Sequence, residues 1–264
     1  MQTVYFKTAT VKRCDGSSSE TCIINGMKKA TFRFYDELDE LLPAEVRGET
    51  IDCDFNGSQS VKHLIESMGV PHTEIGKLLV NGRPVDTSYQ VQDGDRVEVQ
   101  PARWEAGEGE LAFILDNHLG KLAGYLRMLG FDALYRNDYE DSELAEAAER
   151  EGRILLTRDR RLLMRKQVQA GYCVRKHDPR EQLQDVLKRF GLRPQVRPFQ
   201  RCIRCNTLLE KTRKEQVLER LEPLTKQYYD TFSVCPGCGQ VYWPGSHYER
   251  MQGMIQKIIE NEDL

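Results

Sequence analysis

Apolar and polar residues alternate in "TFRFY" (31–35) and again in "RVEVQ" (96–100), the period of strands with one buried face. Between them, Val61, Leu64, Ile65 and Met68 fall at i, i+3, i+4 and i+7, the stripe of a helix packed on a core. "ETIDCDF" (49–55) and "EIGKLLVNGRPV" (74–85) supply further strands, and Asn81-Gly82 is a hairpin turn signal. After residue 110 the texture changes. Short apolar runs at 111–116, 131–136, 153–157 and 172–176 alternate with helical patterns at 118–130, 142–152, 160–171 and 180–191. In the first of these helices Leu119, Leu122, Ala123, Leu126 and Leu129 share a face, and Gly130 sits where a C-cap glycine belongs. Strand–helix alternation at this spacing predicts an α/β fold: a parallel sheet with helices on both faces.

The order ββαββ over residues 30–101 resembles a ubiquitin-like β-grasp module. Sulfur carriers and modifiers of that fold end in a free Gly-Gly tail. Here the chain runs on through "QPARWEAGEGEL", so a docking or structural module is the expected role, with a protein partner of its own. The expected organisation is a flexible extension (1–28), a β-grasp domain (29–102), a linker (103–110), an α/β domain (111–195), a cysteine-paired ribbon (196–250) and a C-terminal helix (251–264). Among 264 residues no apolar run approaches the roughly 20 that span a bilayer, so no membrane role is expected. Residues 1–26 lack the apolar core of a signal peptide, which predicts a cytoplasmic protein.

Charge separates the modules. Residues 30–101 hold 14 Asp/Glu against 6 Lys/Arg, a net of −8; residues 188–214 hold 9 Lys/Arg against Glu210 alone, a net of +8. The basic stretch predicts an anionic partner.

"RILLTRDRRL" (153–162) poses a physical problem: a buried strand runs directly into Arg158 and Asp159. In open parallel sheets ligands bind beyond the carboxyl ends of the strands. Asp116 ends the first strand, Asp159 follows the third, and Asp141 opens the helix leading into the third. Carboxylates converging on one edge repel unless a divalent cation neutralises them, and oxygen ligands favour Mg²⁺ or Mn²⁺. Such an ion polarises a phosphodiester and activates water. Each residue also has a structural reading: Asp141 as a helix N-cap, Asp159 as a cap or ion-pair partner, Asp132 as a turn residue.

Cys202, Cys205, Cys235 and Cys238 form two Cys-x₂-Cys pairs 29 residues apart. Two such knuckles complete a tetrahedral S₄ site with no open position, which predicts structural zinc, with His247 outside it. The spacer "KTRKEQVLERL" has the look of an inserted helix. Arg189, Arg193, Arg197, Arg201 and Arg204 alternate with Phe190 and Phe199, and Tyr242 and Trp243 follow the second knuckle. Arginine forks bind phosphates and aromatics stack on unpaired bases, so this segment predicts single-stranded RNA binding beside the carboxylate edge.

"FILDNHLGKLAGYLRMLGFDALY", then "DSELAEAAEREGRILLTRDRRLL", a zinc ribbon with "VYWPGSH" and a β-grasp module in front together resemble the Mut-seven C-terminal RNase-domain family, a branch of the PIN-like nucleases. The resemblance implies a metal-dependent ribonuclease in which Asp116, Asp141 and Asp159 hold Mg²⁺ or Mn²⁺. The family's middle acid has no clear counterpart, with Asp138 or Glu140 as substitutes, and Gly124 stands where a basic residue is usual. Lys121 and Arg127, one or two turns beyond Asp116, become candidates to hold a phosphate, with Arg158, Arg201 and Arg204. An RNA-binding adaptor with a degenerate carboxylate site is the alternative, and a sulfur-carrier or modifier role for the β-grasp module a third class.

Overall fold

The computed structural model describes residues 5–7, 27–104 and 110–260, and the chain divides into two compact units between Arg103 and Trp104. The first unit is a six-stranded mixed sheet: β1 (Tyr5–Lys7), β2 (Met27–Phe34), β3 (Thr50–Asn56), β4 (Ile75–Val80), β5 (Arg83–Val85) and β6 (Arg96–Pro101), in the order β1-β3-β2-β6-β4-β5. β2 runs parallel to β6 and the other pairs are antiparallel. One helix, α1 (Val61–Ser67), is capped by Ser60, whose hydroxyl accepts from the His63 amide. Alternation does the work the sequence pattern implied: Ala30, Phe32 and Phe34 of β2 are buried, as are Val97 and Val99 on the paired β6 and Leu64 and Ile65 of α1. Asn81 and Gly82 both take positive φ (51° and 77°), the geometry of a tight turn matched to strand twist. The expected flexible extension is corrected at two places: Tyr5–Lys7 pair with β3, and Met27 opens β2. The rest of 1–26, and residues 105–109 of the expected linker, lie outside the described residues.

The second unit holds a four-stranded parallel sheet of β7 (Ala112–Leu115), β8 (Asp132–Tyr135), β9 (Ile154–Thr157) and β10 (Gly171–Cys173), in the order β10-β9-β7-β8. A 3-10 turn (Asn117–Leu119) and α2 (Gly120–Met128) join β7 to β8; α3 (Asp141–Glu151) crosses to β9. α4 (Arg160–Leu163) follows β9, and α5 (Pro179–Arg189) follows β10. The chain steps from β7 to β8 on one side, then past β7 to β9 and β10 on the other. Right-handed crossovers in opposite directions put helices on opposite faces. Phe113, Leu115, Ile154 and Leu156 accordingly share a core with Leu122 and Leu126 of α2 and Leu183, Val186 and Leu187 of α5. Their neighbours Ile114 and Leu155 are equally buried on the other face, toward α3.

The sequence pattern predicted a helix over 160–171, but α4 stops after four residues. Arg165, Lys166 and Gln167 are all exposed, so a further turn has no buried side to pack. Gly171, the first residue of β10, packs so closely on Leu163 that a Cβ there has no room.

The ribbon is a three-stranded antiparallel sheet of β11 (Glu210–Thr212), β12 (Phe232–Val234) and β13 (Val241–Tyr242). The expected inserted helix over 211–221 is broken: its first residues belong to β11, followed by α6 (Lys214–Val217) and a 3-10 turn (Leu218–Arg220), and a separate α7 (Pro223–Tyr228) comes after it. Val217 and Leu221 must both reach a small core with Phe232 and Val241, and Pro223 starts a new helix. The last helix, α8 (Ser246–Ile259), begins five residues before the expected one, and its Ile255 and Ile258 return to the α/β core. No helix of the described residues is long and apolar enough to cross a membrane.

Phe190 is fully buried against Trp104, Phe113 and Tyr172, with ring centroids 5.1, 5.4 and 6.0 Å away. Phe190→Ala is expected to lower unfolding stability by about 3–5 kcal/mol, the scale for an emptied aromatic site; urea titration checks it.

Candidate active site and metal centre

Parallel strands deliver the ends of β7 and β9 to one edge, beside the point where the crossovers reverse, which is where α/β sheets open a ligand crevice. Asp116 follows β7 there and is only 6% exposed. Its Oδ1 accepts the His118 amide at 2.7 Å, turning the chain into the 3-10 turn before α2. Its Oδ2 takes the Thr157 hydroxyl in a short hydrogen bond, and the Arg158 amide at 3.4 Å. Thr157 Oγ1 in turn accepts the Asp159 amide at 2.9 Å. Thr157 therefore links the two acids, its hydroxyl fixing one carboxylate and the backbone of the other. Asp159 Oδ1 accepts the Arg161 amide at 2.8 Å, capping α4. Thr157 had no assigned role in the sequence; the signal was its place at the buried end of an apolar run between two acids.

Asp141 lies apart from this link. It is the first residue of α3 rather than its cap: Glu140 occupies the cap position and its amide donates to Glu143 Oε2 at 2.9 Å. The Asp141 carboxylate is 55% exposed and 3.8 Å from the Arg165 guanidinium. Asp138 is taken by Arg136 at 2.8 Å, which holds its carboxyl below the usual range. Among the described residues the carboxylates of Asp116, Asp141 and Asp159 do not gather three ligand oxygens about one point.

The four cysteines do. Their sulfurs lie within 4.8 Å of one another, with Cys202–Cys238 at 3.5 Å and Cys205–Cys235 at 3.3 Å. A tetrahedral ZnS₄ site with bonds of about 2.3 Å needs sulfurs roughly 3.8 Å apart, so the donor set fits zinc. Burial works against the Cys205 thiolate, but the Thr207 hydroxyl and amide and the neighbouring thiols outweigh it and pull the thiol down to about 6. Tyr242 is not a free stacking platform: its hydroxyl meets Cys202 Sγ at 3.1 Å and accepts the Ile203 amide at 3.2 Å. His247 stands outside the thiol group, exposed.

Several arginines expected to hold phosphate are committed elsewhere. Arg127 is 3% exposed; its Nε donates to the Ala133 carbonyl at 2.7 Å, and its Nη1 to those of Ile203 and Arg204 at 3.1 and 2.8 Å. Burial pulls its pKa down, while the Cys205 and Cys202 sulfurs and Asp132 hold it up. Four thiolates around one Zn²⁺ keep two net negative charges, which favours a buried cation beside the knuckle. Arg201 donates to the carbonyls of Gly130 and Asn206 at 3.2 and 3.1 Å and lies 3.5 Å from Asp132. Arg193 donates to Ile258 and Gln184, and the Arg189 guanidinium lies over Tyr172. Arg204, Lys121 and Arg158 remain exposed.

The ribbon docks at the amino edge of the sheet. Asp132, the first residue of β8 and not the expected turn residue, accepts from Arg153 at 2.6 Å and from Asn206 at 2.8 Å, and Asn206 Oδ1 takes the Ala133 amide at 3.1 Å. Gly130 takes φ 98° because the Arg197 carbonyl fills the place of a Cβ. Four-residue strands span about 13 Å, so the first zinc knuckle and the Asp116–Asp159 edge sit at opposite ends of the sheet, not side by side.

A family model described as the Mut7-C RNAse domain matches residues 111–255, more than half of the chain. The chain belongs to the Mut7-C RNase-domain family. A second model, the Mut7-C ubiquitin domain, matches residues 27–106 of this Mut7-C protein. The human protein named exonuclease mut-7 homolog is 35% identical over 130 residues, 47% of this chain and 14% of that protein; the Mut7-C chain thus spans a small fraction of its relative. A solution structure of the Haloferax volcanii HVO 2177 protein overlaps 36% of this chain and all of its own, at 20% identity and a TM-score of 0.27, and carries no argument. The family places the second unit among nuclease-related domains, and the ubiquitin-like label fits the first.

Two outcomes follow for the joint. Arg127→Met is expected to destabilise the second unit by about 3 kcal/mol or more, since three buried carbonyls lose their donor; denaturant unfolding with zinc retained measures it. Burial raises the pKa of Asp132, but the hydrogen bonds from Arg153 and Asn206 and the charges of Arg153 and Arg201 outweigh it and leave it depressed. A depressed acid stabilises the fold above its unfolded-state pKa, near 4, and that contribution is lost as pH falls through the lower folded value. Thermal melting against pH is expected to show this acid limb, reduced in Asp132→Asn.

Proposed function

We propose that this protein is a metal-dependent ribonuclease that hydrolyses phosphodiester bonds of single-stranded RNA at the carboxyl edge of its parallel sheet. The observation that carries this reading is the Asp116–Thr157–Asp159 link at the crossover reversal. Asp116 is nearly buried, and the groups that meet its carboxylate are neutral: the Thr157 hydroxyl and the amides of His118 and Arg158. Mg²⁺ binds through one or two carboxylates and takes its other ligands from water and substrate phosphates, which suits two linked acids better than a closed cage. Asp116 and Asp159 would hold Mg²⁺ or Mn²⁺, with Asp141 joining from the exposed start of α3. The ion would supply a Lewis acid for the phosphoryl oxygen and an acidified water as nucleophile.

The chain's own residues do the rest. Thr157 holds Asp116 in one orientation and its burial excludes bulk water from that side. Lys121 and Arg158 place positive charge around the edge, and Arg204, at the far end of the sheet, would meet a strand extending past α2. The ribbon then acts chiefly as a brace for α2, with structural zinc at Cys202, Cys205, Cys235 and Cys238. Six free thiols among the described cysteines suit a reducing cytoplasm. The acidic β-grasp unit suits a basic protein partner and repels RNA.

One observation favours a non-catalytic RNA-binding adaptor: Asp141 is paired with Arg165, leaving two linked acids. Zinc-retaining protein freed of labile divalent ions separates the readings. Cleavage of labelled single-stranded RNA is expected on adding Mn²⁺ or Mg²⁺, and Asp116→Asn is expected to lower kcat by roughly 10²-fold or more, the scale of losing one electrostatic group at a reacting centre. Unchanged cleavage in that variant overturns the site; binding that survives chelation, with no cleavage in any metal, favours the adaptor.

A further inference from the structure

The loops that follow β9 and β10 leave the same edge of the sheet. Arg158 stands between Thr157 and Asp159, with its own amide directed at Asp116. Among the described residues its side chain pairs with no acid. Instead Nη2 lies 2.9 Å from Nδ1 and 3.3 Å from Nε2 of His177, in the segment between β10 and α5. The two ring nitrogens are about 2.2 Å apart, so near-equal approach to both puts the guanidinium against the face of the ring, not at the end of one lone pair. A neutral imidazole accepts a cation on its face; an imidazolium repels it.

We propose that His177 is a positioning residue for RNA cleavage: the face of its ring holds the Arg158 guanidinium where it meets a phosphate bound at the Asp116–Asp159 edge. This rests on the nuclease reading above. Arginine on a flexible stem loses rotamer freedom when it binds a phosphate, and a planar partner that orders it beforehand reduces that loss. Asp178 is turned to the amides of Arg180 and Glu181, where it caps α5. Gln182 from α5 reaches the His177 carbonyl, which fixes the segment without touching the ring.

The test is single-turnover cleavage of single-stranded RNA with Mn²⁺ at pH 8, for the full chain and four variants. His177→Ala and Arg158→Ala are each expected to slow cleavage roughly tenfold, the scale of one charge-assisted contact. The double variant is expected to be no slower than Arg158→Ala, because the histidine acts only through the arginine. His177→Phe keeps a planar face without ring nitrogens and is expected to recover most of the rate. Additive losses in the double variant, or no recovery in His177→Phe, overturn the proposal while the nuclease reading stands. Absence of cleavage by the unaltered protein overturns both, and that control tells the two failures apart.

Discussion

Arg127 is the constraint on which the second unit depends. One buried guanidinium satisfies carbonyls from β8 and from the first cysteine knuckle, so sheet, helix and ribbon are tied at a single charge. A buried cation is tolerable only where every donor is matched and negative charge is near. The knuckle supplies both, and Asp132, with Arg153, Arg201 and Asn206, repeats the arrangement one strand-end away. The ribbon is thus a folded brace for α2, and α2 begins directly after the turn that Asp116 caps.

This brace separates two tasks along the length of one sheet. At the amino edge, charges are paired and directed at backbone. At the carboxyl edge, Asp116 and Asp159 are linked through the Thr157 hydroxyl. Buried charge is paired where the ribbon docks, and the linked acids lie where the crossovers reverse.

The β-grasp unit carries its own core and a net negative charge. Like-charge repulsion disfavours an anionic partner for this unit.

Much of the architecture was legible in the chain because periodicity reports burial directly. The alternation in 31–35, the i, i+3, i+4, i+7 stripe of α1 and the apolar runs before Asp116 and Arg158 each specify which side faces a core. Cys-x₂-Cys spacing likewise carries its geometry within four residues, so the thiol cluster was readable. Partners distant in sequence were not. Arg127 and Arg201 read as phosphate ligands because a side chain's type declares its charge, whereas its partner depends on which carbonyls the fold brings near. The same holds for Asp132 and Thr157, whose roles exist only once β7, β8 and β9 lie side by side. Sequence by itself determined the elements, the modules and the cysteine site, since these rest on local spacing. Only the tertiary structure decided which charges brace the fold and which stay open at the edge, because pairing is a matter of distance in space.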